Sequence, residues 1–135
     1  MNFIVPMCDL TFEIPDEWWV SAGMVGYTTD LQHYTTDSTY KEIAPIQDII
    51  PPLRDGGLIW FRDRDTVIKL LQGMQNNEKI PPIEVCGEAK KLVVYDGLHR
   101  FYLSIAVGYT NIPVKERFDF ETFFANEARG IQWDS

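Results

Sequence analysis

Residues 93–114 read VVYDGLHRFYLSIAVGYTNIPV. An apolar β-branched run comes first, then an Asp-Gly pair, a helical pattern, a glycine and a second apolar run. Leu98, Phe101, Tyr102, Ile105 and Ala106 follow the i, i+3, i+4, i+7, i+8 spacing of a buried helical stripe. Gly108 stands where a helix C-terminus favours glycine. The stretch therefore predicts strand, helix, strand. Residues 90–96 and 111–117 are expected as neighbouring strands of one sheet, with a right-handed crossover if they are parallel.

The stripe leaves His99, Arg100 and Ser104 off the buried side, while Leu98 faces the core. A helix N-terminus has unpaired N–H groups and a partial positive charge, which suit an anion. Asp96 is placed to cap that end, and Gly97 permits close backbone approach. His99 and Arg100 add donors, and Arg can grip two phosphate oxygens at once. On the residues alone a plainer reading stays open. In it Asp96 is only a cap, His99 a surface residue and Arg100 an ion-pair partner. If Arg100 is exposed, its removal should barely alter stability.

Upstream, IPPIEVC, the charged turn GEAKK and LVVYD form a predicted hairpin. DTVIKLLQGMQ predicts a helix with Val67, Ile68, Leu71 and Met74 on one face, capped by Asp63 or Asp65. KEIAPIQDIIPPL predicts a short strand over 42–49, stopped by the double proline. Downstream, DFETFFANEARG predicts a last amphipathic helix over 119–130, with Phe120, Phe123 and Phe124 on one side. Near the start, IPDEWWVSAGM predicts a short helix between Pro15 and Gly23. Trp18 and Trp19 are adjacent and so point to different sides.

The 135 residues suit a single compact core, and 45% hydrophobic content is that of a folded protein. No apolar run reaches the ~20 residues of a membrane span, and no basic, apolar leader opens the chain. A cytosolic protein is expected. Cys8 and Cys86 have no metal-type spacing and are expected as buried thiols, and with only His33 and His99 no zinc set is found. The net charge of −8 is uneven: residues 1–40 hold six acids and no Lys or Arg. That charge argues against a general nucleic-acid binder, although a few local cations still suffice for a phosphate pocket. Residues 1–40 are expected as an acidic extension packed on a domain of 41–135, with Phe3, Ile4, Val5, Phe12 and Trp18 against it.

Several of these pieces resemble the ParB/sulfiredoxin superfamily. They are Pro81, Pro82, Ile83 and Val85; then Asp96, Gly97, His99 and Arg100; then Gly108, Ile112, Pro113 and Val114. The resemblance covers residues 42–117, and residues 1–40 have no counterpart in it. It implies an α+β fold, a small mixed sheet with packed helices. It also implies a nucleotide pocket for ATP or CTP. Gly97, His99 and Arg100 would hold the phosphates, with Arg64, or else Arg62, assisting from the upstream helix. Asp96 or Asp55 would hold magnesium or act as a base.

The departures from that pattern narrow the function. Sulfiredoxins place a cysteine before the signature histidine, where this chain has Leu98, so sulfiredoxin chemistry is not expected. Partition proteins continue into a helix-turn-helix domain, whereas this acidic sequence runs only to Ser135. Free-serine kinases use an upstream Glu, where this chain offers Asp48 and Asp55. Two functions follow. One is a noncatalytic, nucleotide-responsive binding or regulatory module whose N-terminal segment meets a protein partner. The other is an NTP-dependent phosphotransferase or nucleotidase of the same fold.

Overall fold

The computed structural model describes residues 1–6, 10–36, 41–51, 58–59, 61, 63–88 and 91–116. Cys8, Asp55, Arg62 and the helix expected over 119–130 lie outside them. In chain order the elements are β1 (Asn2–Ile4), β2 (Thr11–Glu13), α1 (Asp16–Ser21), β3 (Glu42–Pro45), a 3-10 turn (Ile46–Asp48), β4 (Ile49–Ile50), β5 (Leu58–Ile59), α2 (Arg64–Gln75), β6 (Ile83–Glu88), β7 (Lys91–Asp96), α3 (Leu98–Val107) and β8 (Asn111–Glu116). The architecture is α+β: helices packed on a small mixed sheet.

The main sheet has the order β3-β8-β6-β7-β4. The hairpin β6–β7 is antiparallel, as its charged turn predicts. β8 lies parallel to β6 on the other side. Thus β7 and β8 share a sheet, but β6 stands between them and they run in opposite directions, so the expected neighbouring pair is corrected. The hairpin occupies one edge of β7 and β4 the other. A helix of 10 residues is about 15 Å long, enough to carry the chain past an intervening strand.

The strand expected over 42–49 is also corrected. It breaks at Pro45 into β3 and β4, which pair with β8 and β7 respectively. Proline lacks the N–H a continuous ladder needs, and it sits here on an edge strand. In a flat sheet the two edges would stand about 19 Å apart. The link from Pro45 to Ile49 reaches at most about 15 Å. The sheet therefore curls.

A second sheet, β1-β2-β5, joins the N-terminal residues to the segment ahead of α2. Val5, Phe12, Ile14, Ala22, Met24 and Tyr34 enter the same core as Val67, Leu71, Ile83, Val94, Phe101 and Ile112. Trp18 and Trp19 are both half-buried and both pack against that core. α1 forms between Pro15 and the positive φ of Gly23, 76°.

α3 packs against α2, β1, β6 and β7, so it is covered on more than one face. For that reason the predicted stripe is only part of what it buries. Phe101 and Tyr102 are buried, while Leu98, Ile105 and Ala106 are half-buried. Leu103, Val107 and Ser104 are buried as well, which corrects the placing of Ser104 on the exposed side. Its Oγ has no hydrogen-bond partner among the described residues. Cys86, expected to be buried, is half-exposed on β6. No described helix is long and apolar enough to cross a membrane.

Candidate ligand-binding cleft

A cleft of about 730 Å³ opens where α2 and α3 begin. Its polar end is Asp96, Gly97, His99 and Arg100. Its apolar walls include Phe61, Leu70, Ile80, Leu98 and Tyr102.

The start of α3 lacks a side-chain cap. Gly97 is the N-cap residue, with φ 97° and ψ 32°, and it makes no side-chain cap hydrogen bond. This corrects the reading of Asp96 as the cap. The left-handed backbone at Gly97 turns the chain before Asp96 can reach the helix. Asp96 instead ends β7, is 66% exposed and stands with Oδ2 3.6 Å from Arg100 Nη2. A Cβ at Gly97 would lie 2.9 Å from both Arg100 Nη2 and Ile83 Cγ2, so glycine is needed twice over.

Arg100 is not the exposed cation expected. Its side chain is 18% exposed. Nη1 donates to the carbonyls of Pro81 and Pro82, each at 3.0 Å. Tyr34 donates its hydroxyl to the same Pro81 oxygen at 2.7 Å. Burial pushes the Tyr34 phenol well above its ordinary pKa, against the pull of the Arg100 charge and of a backbone hydrogen bond from Ile83. In this arrangement Arg100 braces the Pro81–Pro82 segment, just ahead of β6, to α3.

His99 stands in the first turn of α3, and its ring lies 5.5 Å from that of Phe61. Phe61 also meets Tyr102 edge-on at 6.1 Å. Across the cleft, α2 is capped. Asp63 accepts from the Thr66 backbone N–H at 3.1 Å and from the Thr66 hydroxyl at 2.6 Å. Those bonds, the hydroxyl first, hold the Asp63 carboxyl below its usual pKa, and the nearby His99 adds to the effect.

The structure thus brings Asp96, Gly97, His99 and Arg100 to one cleft and leaves Arg64 outside its lining. Arg64 is 52% exposed and reaches Asp65 at 3.3 Å and the Ser21 hydroxyl at 3.5 Å. A cation at Asp96 would compete with the Arg100 guanidinium for that carboxylate. Among the described residues no three His, Cys, Asp or Glu side chains stand together as a metal site. Asp48 is exposed on the 3-10 turn and is absent from the lining. Phe61, Tyr102, Tyr34 and the Pro81 carbonyl were missed from the sequence. Of these only the proline pair carries a signal in the sequence, as part of the strand pattern of IPPIEVC.

No protein-family model matches the chain, and no curated protein matches it. Among solved structures it is similar to sulfiredoxin from Arabidopsis thaliana, with 22% identity and a TM-score of 0.49, over 64% of this chain and 96% of that one.

Proposed function

We propose that this protein is a noncatalytic, nucleotide-responsive module that takes the phosphates of ATP or CTP at the start of α3. The observation that carries the reading is the uncapped N-terminus of a 10-residue helix opening on a cleft with an apolar wall. Backbone N–H groups of that first turn have no intrahelical acceptor, and the helix dipole favours an anion beside them. His99 adds a donor at the same mouth. The ring of a nucleoside would lie on the apolar side, near Phe61 and Leu70. Arg64 would attract phosphate only from a distance. A magnesium ion carried by the phosphates would meet Asp96, in competition with Arg100.

The regulatory part of the reading rests on the N-terminal residues. Val20 and Val25 are 61% and 69% exposed, in a stretch whose charged residues Asp16, Glu17 and Asp30 are all acidic. That segment is the face we assign to a protein partner.

Calorimetry and melting curves with ATP, CTP and pyrophosphate, with and without magnesium, test the reading. A ligand at a hundred times its Kd stabilises the native state by about 2.7 kcal/mol. His99→Ala should weaken binding roughly tenfold, the effect of one hydrogen bond to a charged group. No binding at millimolar ligand overturns the site. Release or transfer of phosphate during the titration would move the protein to the phosphotransferase or nucleotidase reading.

A further inference from the structure

The strands at the edges of the two sheets are not alike. β3 ends at Pro45, β4 is two residues long and stops at Pro51, and β5 is two residues long. Prolines and short strands keep foreign strands from pairing there. β1 is different. It stands at the edge of the small sheet, with β2 its only strand neighbour among the described residues. Residues 1–5 hold neither proline nor a charged side chain. The Ile14 N–H donates to the Met1 carbonyl at 2.9 Å, and the Val5 N–H to the Leu10 carbonyl at 2.8 Å. In an antiparallel pair only alternate residues bond across. Met1, Phe3 and Val5 therefore face β2, and the N–H and C=O groups of Asn2 and Ile4 point away from it.

Ile4 is 62% exposed, and Asn2 is exposed as well. On the other face Phe3 is half-buried, stacked on Phe12 at 5.3 Å and near Trp19 at 5.6 Å. An added strand would set its alternate side chains beside Ile4 on one face and Phe3 on the other. Both positions suit apolar or β-branched residues. The surroundings are acidic. Glu13, opposite Asn2 in register, is exposed. Asp16, which meets the Met1 amine at 2.7 Å, is 82% exposed, and residues 1–40 hold no Lys or Arg. A second copy would bring two such segments together in chains of net charge −8, and that repulsion disfavours self-pairing. A basic strand is the complementary occupant.

We propose that β1 docks an extended, basic segment of a protein partner, apolar at the residues that flank Ile4 and Phe3. The segment joins the small sheet as a strand beside β1, bonded through the backbone of Asn2 and Ile4. Backbone bonds give such a complex its affinity, and the alternating side chains give it selectivity. The inference rests on the reading of the N-terminal residues as a partner's face and names how the partner is held there. It needs no ligand in the cleft.

The probe is a capped peptide of alternating valine and threonine between lysine ends, titrated into the full chain and followed by NMR. Hydrogen exchange at the Ile4 amide should slow roughly tenfold or more at saturation. The same peptide with N-methylated backbone amides keeps the charge but loses the donors, and should not bind. Ile4→Pro removes a donor that β2 does not use. Its melting temperature should change little while affinity falls roughly two- to tenfold, the range of one hydrogen bond. If that variant does not fold, the N-methylated peptide decides alone. Equal binding of the N-methylated peptide overturns the docking edge, since charge then suffices. Shifts at Val20 and Val25 without protection at Ile4 overturn it too, and leave the partner's face standing. Equal binding of a peptide with glutamate ends overturns the basic partner. Protection of Ile4 without peptide, with dimers in sedimentation, gives the edge to a second copy and overturns the proposal. No effect of the lysine peptide at millimolar concentration, at Ile4 or at Val20 and Val25, overturns both readings.

Discussion

Helices α2 and α3 both give their first turns to the cleft, and they begin in opposite ways. At α2 a first-turn donor is met within the chain: Asp63 accepts from the Thr66 N–H, and from the Thr66 hydroxyl as well. At α3 the cap residue is Gly97, which has no side chain, and no side-chain cap is made. Each helix carries the same kind of dipole. Of the two, α3 has no side-chain cap among the described residues. Its start is held by Arg100 instead, folded back over Gly97 and bonded to Pro81 and Pro82. α2 is fixed by a side chain on its own backbone, whereas α3 is fixed by a side chain reaching to another segment.

The comparison requires that both helices are anchored equally well in the core. Leu71 of α2 and Phe101 of α3 are each 0% exposed. Leu71→Ala and Phe101→Ala should each lower stability by about 3–5 kcal/mol, by loss of buried area and the cavity left behind. Chemical denaturation reads both. A much smaller loss at one of them would mean that its helix is loosely held, and the contrast between the ends would then reflect anchoring rather than capping.

The two arginines at the helix starts carry the next effect. Arg100→Ala should cost about 1.5–3 kcal/mol, since two carbonyls lose a charged donor and the Pro82 group is buried. Arg64→Ala removes a side chain 52% exposed and should cost about 0–1 kcal/mol. Equal losses in parallel melts would break the contrast between a braced and a capped start.

Two glycines separate backbone strain from crowding. Gly97 and Gly108 both have positive φ, 97° and 103°. Nothing lies within 4 Å of a Cβ at Gly108, whereas Arg100 and Ile83 crowd one at Gly97. Gly108→Ala should cost roughly 1 kcal/mol of left-handed strain. Gly97→Ala adds displacement of the brace and should exceed it by roughly another 1 kcal/mol. Equal values would show that the guanidinium yields freely and is no brace.

What was legible in the sequence followed from period and punctuation. The hairpin, α2 with a cap left between Asp63 and Asp65, and α3 closed by Gly108 all lie in segments whose apolar spacing repeats. What was not legible depended on partners distant in sequence. Pro45 splits one apparent strand because β8 and β7 claim its halves from opposite edges of a curled sheet. Ser104 is buried because α3 is covered on a second side, which no single stripe can reveal. The site divided in the same way. The DGLHR motif marked the cleft by its helix start. The acceptors that hold Arg100 are backbone carbonyls, which every residue has and no motif records.

The smallest expected effect lies at the capped end, and acid exposes it. The Asp63 carboxyl is held below its ordinary pKa, chiefly by the Thr66 hydroxyl and then by the Thr66 N–H. The native state therefore binds that proton less readily than the unfolded chain does. Its stabilisation is fully present above the unfolded carboxyl pKa, about 3.9, and is lost as pH falls through the lower native value. Asp63→Asn keeps an acceptor for the N–H but cannot titrate. The difference in melting temperature between the native chain and this variant should hold constant near neutrality and shrink in acid. High salt should weaken it, because the carboxyl is exposed to solvent. An acid-independent difference would show that the cap acts by shape alone. The electrostatic part of the contrast between α2 and α3 would then rest on the Gly97 end by itself.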